Sequence, residues 1–80
     1  MDNSTNAIYS YLKSKYNRVV IGKKELAMEL NIATSTLDLY LSKGIGLPKY
    51  KKLGLSKNAR VVFNIYDIAI FLNSNQIETI

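Results

Sequence analysis

Four stretches of the chain repeat apolar residues three and four apart, and short extended runs lie between them. Ile8, Tyr11, Leu12 and Tyr16 predict a helix over 5–16, with Ser4 or Thr5 as its cap. Asn17 and Arg18 interrupt it, and Val19-Val20-Ile21 is a brief extended run. Leu26, Ala27 and Leu30 form the apolar stripe of a second helix over 23–30. Gly22 is a tolerable N-cap there, and Glu25 stands at the third position, where a carboxylate suits the positive end of the helix. Glu29-Leu30-Asn31-Ile32 reads as a four-residue turn, in which Asn31 accepts the left-handed conformation and Ile32 is the buried plug. A third helix is predicted over 34–43 and stopped by Gly44. Leu37, Tyr40 and Leu41 should face inward from it, with Thr34, Ser35, Asp38, Leu39 and Ser42 outward and Thr36 partly buried.

The second half changes period. Residues 47–53 and 60–63 are extended runs joined by a Gly-Ser-Asn-containing loop, the pattern of a hairpin. Asn64 caps a closing helix over 65–73, with Asp67 three residues on, and Ile68, Phe71 and Leu72 supply its apolar stripe. Tyr66 and Ile70 fall on the outer face of that helix. Exposed apolar residues need a cover, and the N-terminal helix is expected to provide it through Ile8, Tyr11 and Leu12. The fold class that follows is mainly α with a small β-hairpin, in one domain over 1–80.

Composition removes several kinds of chemistry. The 80 residues include no Cys and no His, so neither a disulfide nor the usual zinc ligand sets are available. Gly44, Gly46 and Gly54 fit no nucleotide fingerprint and read as helix-stop and turn residues. The acids are scattered, and Glu25 with Glu29 reads as a solvated pair on a helix face, not an acid/base couple. No enzymatic activity, metal, cofactor or small-molecule ligand is expected.

Charge supplies the positive signal. The net charge is +5. From residue 39 to 66 the chain carries Lys43, Lys49, Lys51, Lys52, Lys57 and Arg60 and no acid, and elsewhere the six acids slightly outnumber the bases. A surplus localised in this way suits a partner with a line of negative charge, and double-stranded DNA is the first candidate. Thr34 and Ser35, at the start of the third helix, can bond phosphates or base edges through their hydroxyls, with Thr34 expected to serve as helix cap and contact together, and the helix dipole favours phosphate there. Asp38 can accept from the amino group of cytosine. The competing reading of the basic segment is a solvated loop.

The order of these pieces resembles a known family. Lys24-Glu25-Leu26-Ala27-Met28-Glu29-Leu30-Asn31-Ile32 resembles the first half of the helix-turn-helix in excisionase-type, MerR-like winged-helix proteins. Gly44-Ile45-Gly46-Leu47-Pro48-Lys49-Tyr50-Lys51 is similar to that family's entry to the wing. Arg60-Val61-Val62-Phe63, followed by Asp67-Ile68 and Phe71-Leu72, resembles its second wing strand and closing helix. The resemblance implies a winged helix-turn-helix with an added N-terminal helix: residues 5–16 extra, 23–43 the helix-turn-helix, 47–63 the wing and 65–73 the closing helix. It implies a small phage- or plasmid-type transcription regulator, or an excisionase- or AlpA-like accessory factor. The recognition helix would begin near Thr34. This chain departs from the family in exposing Thr34, Ser35, Asp38, Leu39 and Ser42 there in place of Arg or Lys.

The expected DNA contacts are therefore Thr34, Ser35, Asp38, Lys43, Lys49, Lys51, Lys52, Lys57 and Arg60. The alternative is a protein–protein adaptor, which Asp38 and Leu39 favour. A dimer or another DNA-bound protein is a further expected partner. Residues 1–15 are polar with no apolar run, and no stretch approaches the ~20 apolar residues of a membrane span, so a cytoplasmic location without membrane contact is expected.

Overall fold

The computed structural model describes residues 3–44, 46–55 and 59–74. Seven elements follow in the order α1 (Asn3–Tyr16), β1 (Val20–Gly22), α2 (Lys23–Leu30), α3 (Thr34–Lys43), β2 (Lys51–Leu53), β3 (Arg60–Asn64) and α4 (Ile65–Leu72). The architecture is mainly helical with a small antiparallel sheet in the order β1-β3-β2. The hairpin expected between the two basic runs is present, and the short run before α2 joins it as a third strand that sequence reading left unpaired. Its register pairs Ile21 with Phe63 and Gly22 with Val62. On the other side of β3, Lys51 pairs with Val62, Lys52 with Val61 and Leu53 with Arg60.

Strand alternation sorts these residues between two faces. Ile21, Val61 and Phe63 point into the core, which also takes Leu12, Leu26, Ala27, Leu37, Ile65, Ile68 and Ala69. All the helices contribute, while β2 is exposed throughout. Lys52 shares the core-side face of the hairpin, and Lys51, Leu53 and Arg60 share the outer one.

Local chemistry fixes the element ends. The Gly22 N–H donates to Glu25 Oε1 at 3.1 Å and so starts α2. Asn31 ends it in the left-handed region at φ 57°, where its N–H reaches the Met28 carbonyl and the Ile32 N–H reaches that of Ala27. Gly44 (φ 69°) closes α3. The Asn64 side chain accepts from the Tyr66 N–H at 2.7 Å and caps α4.

Several expectations need correction. The turn between α2 and α3 occupies 31–33, not 29–32, because α2 keeps helical geometry through Leu30. Ala33 takes the N-cap of α3 with no side-chain bond, so Thr34 is the first helical residue and not the cap. Tyr40 is exposed, since Leu37 and Leu41, one turn apart, already occupy the inward stripe. α1 begins at Asn3, which places Ser4 and Thr5 inside the helix; Thr5 is buried and accepts from Asn73 Nδ2 at 2.9 Å. α1 does pack on α4, with Leu12 buried in the core beside Ile65, Ile68 and Ala69 and Ile8 packed against it as expected; Tyr9 joins them, its ring meeting that of Tyr66 edge-on at 6.4 Å. Tyr11 is exposed: it lies about 100° round the helix from buried Leu12, against about 60° for Tyr9. Ile70 also stays exposed on the outer side of α4.

Glu29 differs most from expectation. Its side chain is 7% exposed and pairs with Lys15 Nζ at 2.5 Å. It also accepts from the Tyr16 hydroxyl, and Lys15 donates to the Tyr11 hydroxyl at 3.1 Å. Burial alone would push the Glu29 carboxyl up, but the bonds from Lys15 and Tyr16 outweigh it and hold it below its ordinary value. Burial and the bond to Glu29 push the Tyr16 phenol up to about 12. The Glu29 and Tyr11 bonds hold the Lys15 proton more tightly than usual. This cluster ties the end of α1 to α2. Among the described residues no helix is long and apolar enough to cross a membrane.

Candidate nucleic-acid interface

The left-handed Asn31 turn sets α3 beside α2, and the β1–β3 pairing brings the start of β3 to the N-terminal ends of both helices. Thr34 and Arg60 consequently line one depression, with Gly22, Lys23, Lys24 and Glu25 around it. An adjoining depression is lined by Lys23, Leu41, Ser42, Tyr50 and Lys52. Lys23, Ala59 and Val61 belong to both, so the two are continuous. A concave strip thus runs from Thr34 past Arg60, Lys24 and Lys23 to Lys52 and Ser42.

Electrostatics along the strip favour an anion. Four cations line it, Lys23, Lys24, Lys52 and Arg60. Glu25 stands among them, but its Oε1 is turned onto the Gly22 N–H. Asp38 holds Lys23 Nζ at 2.7 Å, with both side chains substantially exposed. The N-terminus of α3 has no side-chain cap and adds its partial positive charge beside Arg60. Clustered cations in a concavity concentrate field on a polyanion.

The expected contact residues fall into groups. Thr34, Arg60 and Lys52 lie on the strip, and Asp38 touches it through Lys23. Lys51 shares the outer hairpin face with Arg60 and lines a further depression with Lys49, Val62, Asn64 and Asp67. Arg60 thus lines the strip and also shares a hairpin face with Lys51. Ser35 is exposed on α3, and Lys43 is exposed at its far end, about 13.5 Å along the axis from Thr34. Lys57 lies outside the described residues. Lys23 and Lys24 were missed because they precede the acid-free window and sit among acids in sequence; only the strand pairing of residues 20–22 reveals where they go.

Tyr50 borders the depressions on both faces, with its ring 5.8 Å from Phe63 and tilted by 52°. It is half exposed, so core packing and surface contact are both open to it. Among the described residues no group of three or more His, Cys, Asp or Glu could hold a metal ion. No protein-family model, curated protein or solved structure matches the chain.

Proposed function

We propose that the chain is a non-covalent double-stranded DNA-binding module of winged helix-turn-helix type. In this reading α2 and α3 are the helix-turn-helix, the β2–β3 hairpin is the wing, and α1 is the added helix. One observation carries it: Thr34 at the start of α3 and Arg60 at the start of β3 line the same depression, flanked by Lys23 and Lys24. A strip of that kind accepts a phosphate backbone while α3 presents its first turn to the groove. Because α3 exposes no Arg, affinity comes chiefly from backbone contacts, and sequence choice is modest. The resemblance to excisionase-type and AlpA-like proteins extends this to a transcription regulator or an accessory factor for recombination.

The test is fluorescence anisotropy of a labelled mixed-sequence duplex, titrated at several salt concentrations. Each neutralised phosphate contributes a slope of about −0.9 in log K against log salt, so engagement of the strip gives roughly −3 to −4. No binding at low salt, or a flat salt dependence, rejects the reading. A second reading, a protein-binding adaptor, draws on Leu39 and Tyr40, both exposed on α3 beside Asp38. A Leu39→Ser, Tyr40→Ser variant that keeps DNA affinity but loses a captured protein would favour it.

A further inference from the structure

Packing of α1 on α4 leaves Ile70 in water. Its side chain is 46% exposed and lines a depression with Leu47, Pro48 and Phe71. A single exposed isoleucine is ordinary, but here it belongs to a continuous apolar lining. Lys49 and Asp67 line this depression and also the neighbouring one that holds Lys51 and Val62, so the two form one groove beside α4. Ser74, the last described residue, lines the groove as well. Residues 75–80, which lie outside the described residues, therefore start at the groove itself. Their sequence is Asn-Gln-Ile-Glu-Thr-Ile, with two apolar side chains, Ile77 and Ile80, one acid, Glu78, and no base. The groove offers the complement, since Lys49 and Lys51 outnumber Asp67 along it.

We propose that residues 75–80 fold back beside α4 into this groove, with Ile77 and Ile80 on the Leu47–Ile70 lining and Glu78 paired with Lys49. The length of chain suffices. Six extended residues span at most about 20 Å, and Glu78, four residues past Ser74, reaches about 13 Å. Asp67 is only about 7.5 Å along the helix axis from Leu72 at its end, so a segment turning back at Ser74 passes Asp67 and Lys49 with length to spare. Tethering selects this occupant over a free partner. A segment attached at the mouth of its own groove is present there at an effective concentration in the millimolar range, so two isoleucines and one exposed ion pair are enough to hold it. The inference stands apart from the DNA-binding reading, and its test uses no DNA.

The experiment exploits the absence of cysteine. A nitroxide on Thr79→Cys labels the full chain at one place, and paramagnetic broadening of backbone amides in NMR spectra reads where residue 79 goes. Thr5 is the internal control, because Asn73 holds it against the same end of α4 and it does not line the groove. A docked segment should broaden Lys49 and Lys51 at least threefold more than Thr5. Adding Ile77→Ser and Ile80→Ser to the labelled chain, changes outside the described core, should bring that ratio to about one. Glu78→Lys should also lower it, and Lys49→Glu in the same chain should restore it. Equal broadening of Lys49 and Thr5 overturns the proposal, as does a ratio that the two serines leave unchanged. So does broadening that persists in a mixture of labelled chain and unlabelled, isotope-enriched chain, since the occupant would then be a second copy.

Discussion

The Lys23 ammonium lies 2.7 Å from the Asp38 carboxylate, so the lysine shared by both basic depressions is held by the single acid of α3. Any phosphate that takes Lys23 must displace this carboxylate. Asp38→Asn should free the lysine, strengthen binding several-fold and steepen the salt slope by about 0.9, one additional phosphate. Both partners are exposed, so folding stability should move by no more than about 1 kcal/mol. Anisotropy titrations and urea unfolding check the two halves; unchanged affinity would mean that α3 and Lys23 stay clear of DNA.

Arg60 and Lys43 are both unpaired by acids in sequence, yet their positions differ. Arg60 lines the strip beside Thr34 and Lys24, while Lys43 stands at the far end of α3 from Thr34. A guanidinium bonds phosphate through two parallel N–H groups, which makes its loss costly. Arg60→Ala should weaken duplex binding at least tenfold, about 1.4 kcal/mol, and Lys43→Ala less than threefold. Equal effects in the same titration would show that net charge alone governs binding.

Much of this arrangement was legible in the chain, for reasons that can be named. Asn31, Gly44 and Asn64 carry their element ends in their own chemistry, through left-handed backbone or a short side-chain acceptor. Helix periodicity found Leu12, Leu26, Leu37 and Ile68 because each sits at the centre of its stripe. It erred at the margins, with Tyr11 and Tyr40, where a rotation of 60–100° decides burial. The partners of Glu29 were invisible, since Lys15 and Tyr16 come from another helix and meet it only through packing. The basic strip was half legible: Arg60 and Lys52 stood out by local charge, whereas Lys23 and Lys24 enter only when β1 pairs with β3.

Glu29 gives the fold a defined response to pH. Its carboxyl is held below its ordinary value in the folded state, so the unfolded chain takes the proton more readily. The stabilisation is complete above the ordinary value near 4.5 and is lost as pH falls through the lower folded value. Tyr16 acts at the other end. Its phenol rises from 10.0 to about 12, so its contribution is complete below pH 10 and disappears as pH climbs toward 12. Lys15 has the same sign as Tyr16, being raised. Urea midpoints of wild type and Glu29→Gln should therefore be far apart at pH 7 and converge by pH 3. A constant gap across that range would show that the ionised carboxylate contributes nothing.

Asn31 is the hinge of the α2–α3 unit. A residue with a Cβ costs roughly 1–2 kcal/mol in the left-handed region, and Asn reduces this by local hydrogen bonding. Asn31→Ala should destabilise by about 1 kcal/mol, and Asn31→Gly should be neutral or slightly stabilising. The order Gly ≥ Asn > Ala in thermal midpoint checks the geometry, and Ala equal to Gly would contradict it.

Leu12 decides whether α1 is an appendage or part of the fold. Its side chain is fully buried, in one core cluster with Phe63, Ile65, Ile68 and Ala69, and α1 packs closely along α4. A buried Leu→Ala change costs about 2–5 kcal/mol. At roughly 0.05–0.15 kcal/mol per residue, a chain of 80 residues has a total stability of only about 4–12 kcal/mol. Leu12→Ala should consequently remove a large share of the stability of the whole molecule and not merely fray one helix. Amide exchange gives the decisive comparison. With α1 integral, protection in α4 and β3 falls along with that in α1. If α1 is a separable arm, only its own amides lose protection, and the hairpin and α3 keep their exchange rates.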